Sequence, residues 1–251
     1  THRLAKWNLL RTSLGQSFLA QNQSYFYTSP YTQFSDSGLE DPKRPQEGLR
    51  QIKTRSGGNP DLQPEETDTF YAGVTVEPEG VLKGFSFGID WFQFKQKNLI
   101  SQLGADYILL DEDELPGLVV RAAPTGGDSV GSVSYVNDTY RNANHLTYRG
   151  FDATTRYDLK TDALGWFRFT ASATFMPQFI YEGSEWAGTY NQPKWRGTFS
   201  TDWHKGDWSA AIFMDYVGRF DNYSGGGSVS SQVMINPQVT YAGLWKSKIT
   251  L

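Results

Sequence analysis

Apolar and polar side chains alternate along most of this chain. The clearest stretch sets Phe167, Phe169, Ala171, Ala173 and Phe175 against Arg168, Thr170, Ser172 and Thr174. Phe70, Ala72, Val74 and Val76 alternate with Tyr71, Gly73 and Thr75, and Phe85, Phe87, Ile89 and Trp91 with Ser86, Gly88 and Asp90. Phe151, Ala153, Thr155 and Tyr157 oppose Asp152, Thr154, Arg156 and Asp158, and Trp208, Ala210, Ile212, Met214 and Tyr216 make a further row. Successive side chains of a strand point to opposite faces, so each segment reads as a strand with one greasy and one polar side. No helical period is sustained over 12 residues. The pattern predicts an all-β chain of eight strands and the start of a ninth. These are 4–18, 67–77, one opening at 85, 132–159, one opening at 166, 195–204, 208–216, 233–244 and 249–251.

These strands are longer than the ~5–6 residues usual in soluble sheets. Their connections alternate between long (20–65, 99–131, 182–194, 221–230) and tight (78–83, 161–165, 205–207, 245–248). Long loops at one rim and short turns at the other are the pattern of outer-membrane barrels, and a soluble sandwich has no reason to sort loops by length. Trp91, Trp166, Trp195, Trp203, Trp208, Tyr216 and Trp245 fall near predicted strand ends. Rings with an apolar body and a polar handle favour the lipid headgroup level, so these predict aromatic girdles. The alternative is that they cap an ordinary hydrophobic core. With the loop alternation added, the pattern favours an antiparallel transmembrane β-barrel of which this chain is a part.

Composition narrows the picture less. Mean hydropathy is −0.52 over 251 residues and no run of 18 apolar residues occurs, which excludes a helical membrane protein. A barrel escapes that test because only alternate residues meet lipid. A formal charge of −4 argues against a nucleic-acid partner. The absence of cysteine excludes a disulfide scaffold, thiolate metal sites and a cysteine nucleophile. The opening residues Thr1 to Trp7 lack the apolar stretch of a signal peptide, and the chain reads as an internal stretch of something longer.

Candidate chemistry is sparse. His2, His145 and His204 stand far apart, and none is spaced as a metal ligand with another histidine or carboxylate. The acidic run Asp111-Glu-Asp-Glu114 lacks the glycine turn of a calcium loop and reads as a solvated loop. Gly225-Gly-Gly-Ser is loop punctuation, and the three Asn-x-Ser/Thr triplets at 22, 137 and 222 read as coincidences. No catalytic residues, metal site or cofactor are expected, and the chain does not read as an enzyme. Tyr25-Phe-Tyr-Thr-Ser-Pro-Tyr31 is dense in rings and hydroxyls, and Trp186 with Tyr190 repeats that chemistry on another long loop. Tyr25, Tyr27, Tyr31, Trp186 and Tyr190 are therefore the candidate substrate contacts; packing of loop against loop is the alternative. Arg156, Arg168, Arg196, Asp152, Asp158, Asp202 and Asp215 are expected on the inner face, as a ladder of paired charges or as contacts to whatever fills the bore.

Several motifs carry a family resemblance. Asn59-Pro-Asp-Leu-Gln-Pro-Glu-Glu-Thr leads into the strand at 67, with Pro60 and Pro64 fixing φ before pairing starts. Asn142, Gly150, Asp152 and Tyr157 follow, then Pro193-Lys-Trp-Arg, the turn 205–208 and Tyr216-Val-Gly. Leu14-Gly-Gln-Ser-Phe-Leu-Ala is similar to the family's Gly…Phe-Arg-Ala-Pro segment, with Leu19 in place of the arginine. In order and spacing over more than 200 residues these resemble the TonB-dependent outer-membrane receptors. The resemblance implies a 22-stranded barrel with an N-terminal plug, of which residues 1–251 supply the C-terminal portion, about strands 13 to 21, without the plug or the final strand. It implies bacterial outer-membrane residence among lipid and lipopolysaccharide. It also implies energy coupling through TonB by way of the missing N-terminal part, and a small-molecule or oligosaccharide ligand: an iron–siderophore, a corrinoid or an oligosaccharide. A passive outer-membrane channel, an adhesion barrel and a soluble all-β carbohydrate-binding protein are the alternatives.

Overall fold

The computed structural model describes residues 2–5, 7–35, 37–189, 192–222, 226–244 and 247–250. In chain order the elements begin with β1 (His2–Ala5), β2 (Asn8–Leu19), α1 (Gln23–Tyr27), β3 (Tyr31–Phe34), β4 (Lys53–Gly57), β5 (Glu65–Val76) and β6 (Phe85–Ser101). Then come α2 (Ala105–Leu110), β7 (Val119–Arg121), β8 (Val133–Thr139), β9 (Arg141–Thr161) and β10 (Gly165–Tyr181). The rest are β11 (Ser184–Glu185), β12 (Trp195–Lys205), β13 (Trp208–Val217), β14 (Phe220–Asp221), β15 (Ser228–Val229), β16 (Gln232–Leu244) and β17 (Ser247–Thr250). One sheet of eleven strands runs β1-β2-β5-β6-β9-β10-β12-β13-β16-β17, with β11 paired to β10. It is an open meander.

Two predicted strands divide. The segment 4–18 holds parts of β1 and β2, which pair antiparallel through Ala5 and Asn8. No Gly, Pro or Asn-Gly marks that reversal, so the alternation runs through it unbroken. The segment 132–159 holds β8 and most of β9. β8 leaves the large sheet, pairing parallel with β4 and antiparallel with β7. Period-two alternation states that a residue is in a strand; it carries no information about the partner.

The chain forms two compact units. The first comprises Thr1–Gln16, Asp68–Lys95 and Leu146–Leu251, the second Ser17–Thr67 and Gln96–His145. The second corrects the expectation of long loops at 20–65 and 99–131. It has its own four-stranded sheet, β3-β4-β8-β7, and a core of Ile52, Ile108, Leu109, Val133 and Val136. Leu39, Leu103, Leu115, Leu118 and Val119 pack around that core. The helix α2 contributes Ile108 and Leu109 to it, too short an element to register as a helical period.

Registers in the first unit are continuous. Trp166–Phe175 pair with Trp195–His204 in one unbroken ladder, and Arg196–Lys205 with Trp208–Val217 in the next. β9 and β10 pair one-for-one from Gly165 to Phe175 and slip at a bulge before Gln178. Pro177, which has no N–H to give to a ladder, sits in that bulge. Beyond it Phe179 pairs with Tyr148, so the side chain that alternation assigns to the Phe175 face is turned to the opposite one.

Candidate functional site

The registers fix what each face of the wall presents. One face carries, across β9, β10, β12, β13 and β16, the aligned rows Thr155-Ala171-Phe199-Met214-Ile235 and Tyr157-Phe169-Thr201-Ile212-Pro237. The row Phe151-Phe175-Trp195 bounds this band on one side and Leu159-Phe167-Trp203-Ala210-Val239 on the other. Phe175 stacks on Trp195 at 4.3 Å between ring centroids, and Trp208 meets Tyr241 at 4.6 Å with the rings tilted by 40°. These apolar side chains stay open: Ile212 is 44% exposed and Ile235 57%. Trp166 is the exception to the predicted girdle. It pairs with Lys160 and His204 on the opposite face, stacks on His204 at 5.2 Å and lies 4.8 Å from the Arg168 guanidinium. Trp245 lies outside the described residues.

The opposite face is polar. Asp158, Arg168 and Asp202 align across it, as do Thr154, Ser172, Thr198 and Asp215. Asp158 accepts from Arg168 Nε at 2.8 Å and from Arg156 Nη2 at 2.6 Å, and Thr174 donates to Asp152 at 2.6 Å. Part of the predicted charge ladder is therefore present. Arg11 of β2 reaches across β5 to form a bidentate pair with Asp90 of β6, and donates to Thr75 at 3.3 Å. Gly73 lies under this bridge. A Cβ there would meet the Asp90 carboxylate at 1.8 Å, so the close approach needs glycine.

Further along this face lies an aromatic plate that alternation did not reveal. Phe94 stacks on Tyr148 at 4.7 Å, Tyr148 on Phe179 at 6.1 Å, and Tyr71 meets Phe94 edge-on at 5.6 Å. Phe92, buried, joins them, and a Cβ on Gly150 would come within 2.8 Å of its ring. The signal was present as a change of parity: after Trp91 the rings fall at 92 and 94, on the Asp90 side of β6.

The predicted contacts are distributed between the units. Tyr25 and Tyr27 sit on α1 and Tyr31 opens β3, all in the second unit. Tyr25 packs against Tyr140 at 4.3 Å between ring centroids, and its carbonyl accepts from Asn59 N at 2.8 Å. Tyr27 is 75% exposed and Tyr31 52%. Trp186 belongs to the first unit, where its backbone N–H donates to the Phe179 carbonyl at 2.7 Å. Tyr190 lies outside the described residues, as do Gly225 and the side chain of His2.

The acidic run is not simply a solvated loop. Arg121 donates to both Glu112 oxygens at 2.9 and 2.6 Å, and to both oxygens of the buried Asp41 at 2.7 and 2.8 Å. Hydrogen bonds from Arg121 hold both carboxyls below the usual range, against the effect of burial. Lys43 pairs with Glu112 and Asp113. Burial pushes the Asp138 carboxyl up, although it accepts from Leu103 and Gly104 N–H groups.

A family model described as "TonB dependent receptor-like, beta-barrel" matches residues 1–246. The chain belongs to that family. Its members are outer-membrane β-barrel proteins of Gram-negative bacteria, so the open apolar face is the lipid-facing side of a barrel wall. Solved structures agree in fold. The ferric enterobactin receptor PfeA of Pseudomonas aeruginosa matches 99% of this chain with 17% identity and a TM-score of 0.64. The siderophore receptor PirA of Acinetobacter baumannii matches 97% with 15% identity and a TM-score of 0.61. The chain spans about a third of each, 32% and 34%. Curated protein sequences yield no match.

The motifs of this TonB-dependent receptor chain have structural reasons. Asn142 accepts from Gln63 N at 2.7 Å and donates to the carbonyls of Gln63 and Asn98 at 2.8 and 2.7 Å, tying together three segments of the second unit. Asn59 donates to the Tyr140 carbonyl at 3.0 Å and accepts from Asp61 N at 2.9 Å, which sets the turn ahead of β5.

Proposed function

We propose that this chain is the C-terminal portion of the barrel of a receptor that takes up a scarce nutrient across the outer membrane, with energy delivered by TonB to a plug domain encoded ahead of it. The observation that carries the reading is the two-faced wall: a predominantly apolar band on one face, polar and charged rows on the other. The aromatic rows are eight residues apart, from Phe167 to Phe175 and from Trp195 to Trp203. That is about 27 Å along a strand and, at a tilt of ~40°, about 21 Å of membrane thickness, near the ~25 Å of such bands. A ferric siderophore is the first ligand to test, since the similar solved receptors are described as siderophore receptors. Corrinoids and oligosaccharides come next. Tyr27, Tyr31, Trp186 and Tyr190, which the sequence sets on long connections, are the proposed ligand contacts, and the protein acts as a transporter without a catalytic step.

The test is uptake of radiolabelled ferric siderophores by strains with and without the gene, each with and without TonB. Loss of uptake in both deletions supports the reading. Uptake that persists without TonB points to a passive channel, and uptake of a labelled corrinoid or oligosaccharide alone replaces the ligand class.

A further inference from the structure

We propose that the second unit carries a binding site for a small organic ammonium ion with an apolar body, formed by none of the transport contacts named above. A hollow of about 570 Å³ opens on its surface between α2 and the segment 39–45. The helix α2 is two-faced. Ile108 and Leu109 turn into the core, which leaves Asp106, Tyr107 and Leu110, three and four positions apart, on the open side. Tyr107 is 47% exposed and Leu110 70%. On the facing wall Asp41 is buried against Arg121, while its neighbour Glu40 stays exposed and lines the hollow. Pro42 and Pro45 fix φ on this wall, so its shape is set before a ligand arrives.

The charges in the hollow are one-sided. The nearby cations are committed elsewhere: Lys43 to Glu112 and Asp113, Arg44 to Glu47 and Asp128, Arg50 to Glu47, and Arg121 to Asp41 and Glu112. Glu40 and Asp106 have no ion pair or hydrogen bond among the described residues. The hollow therefore offers two carboxylates and no cation of its own, so it attracts a positive ligand and repels a negative one. A hard metal ion does not suit it. Calcium takes about six to eight oxygen ligands, and no group of three metal-ligating side chains occurs among the described residues. Leu39, Pro42, Pro45 and Leu110 supply apolar walls for the body of an organic cation, and the exposed Tyr107 ring adds a cation–π partner. The volume falls within the ~300–1,000 Å³ of small-molecule sites. The second unit is assembled from long connections, which face outward in outer-membrane barrels, so on the barrel reading the ligand arrives from the medium.

The test titrates the complete receptor, in an uncharged detergent, with n-hexylammonium and follows the bound probe by saturation-transfer NMR. Glu40→Gln with Asp106→Asn should weaken binding about tenfold, the contribution of two exposed ion pairs. Leu110→Ser should weaken hexylammonium while leaving methylammonium, which has no tail, unchanged. Glu66→Gln, at an exposed carboxylate elsewhere in the second unit, should have no effect. Amide exchange of β4 and β8 should be the same in every variant, which reads the integrity of the second unit separately. Hexanoate has the same tail and the opposite charge and should not bind, a comparison that needs no variant. Undiminished binding in the double variant overturns the proposal, as does hexanoate binding as tightly as hexylammonium. Self-association of the receptor that the same substitutions abolish also overturns it, since the hollow is then a contact between copies. TonB-dependent uptake of ferric siderophore should be unaffected by the double variant. Failure of ammonium binding with uptake intact therefore refutes this site alone, and failure of uptake in the wild type refutes the transport reading alone.

Discussion

Replacing Arg121 with Met should open the second unit while leaving the barrel wall intact. Arg121 makes two forks, four hydrogen bonds to Asp41 and Glu112 between 2.6 and 2.9 Å, and a fifth to the Gly131 carbonyl at 3.0 Å. Asp41 is fully buried, and without Arg121 the hydrogen bond left to its carboxylate among the described residues is the one from Lys43 N at 3.1 Å. Removing one partner of a buried ion pair leaves an uncompensated charge and costs about 3–5 kcal/mol. At ~1.36 kcal/mol per decade that is a roughly 150- to 5,000-fold gain in the open population. Amide exchange of β4 and β8 in the complete receptor should accelerate accordingly, with β10 and β12 unchanged. Arg121→Met combined with Asp41→Leu and Glu112→Leu should recover most of the loss, because an apolar replacement of a whole buried charge cluster is near neutral. The pH dependence has a defined sign. Asp41 and Glu112 have folded pKa values depressed by Arg121, so their contribution is present above the unfolded values of ~3.9 and ~4.3 and is lost as pH falls through the folded ones. Asp138, raised by burial, works in the opposite direction. The triad is therefore read as wild type minus triple variant, a difference that should shrink below about pH 4. Equal exchange in wild type and Arg121→Met, or a triple variant as open as the single one, would refute the buried-charge argument.

Three further outcomes are expected. Ala171→Arg, in the middle of the apolar band, should cost about 2–4 kcal/mol of folding stability in bilayers, whereas Ser172→Arg on the polar face should cost far less; the reverse order in a refolding titration would invert the assignment of faces. Gly73→Val should drive the Asp90 carboxylate off Arg11 and lower the heat-modification temperature of the receptor on gels, with Gly15→Ala as a control at a site whose nearest neighbour is 3.9 Å away. Tyr27→Ala and Tyr31→Ala should weaken ligand uptake without affecting protease resistance. Tyr25→Ala should instead loosen the second unit by about 0.5–1.5 kcal/mol through loss of its contact with Tyr140, and protease resistance rather than uptake is the measurement that separates them.

The strands, their two faces and the fold class were legible in the chain itself. Alternation is a local property: whether Phe169 and Arg168 point apart depends only on the backbone between them. The order of long and short connections is equally local, and together they place the chain in a membrane barrel. Partnership is not local. β8 reads like a continuation of β9, yet it joins β4 and β7, because the Ile52, Ile108 and Val136 core is assembled from segments far apart in sequence. The same holds for Asp41, Glu112 and Arg121, where residues 80 and 9 positions apart neutralise one another in a buried setting that no single segment announces. Phe179 shows the boundary most sharply. Counting from Phe175 places it toward lipid, and one bulge at Pro177 delivers it to the inner aromatic plate beside Tyr148. The period of two was written in the sequence; where that period slips, and which distant segment fills the resulting space, was decided only when the strands came together.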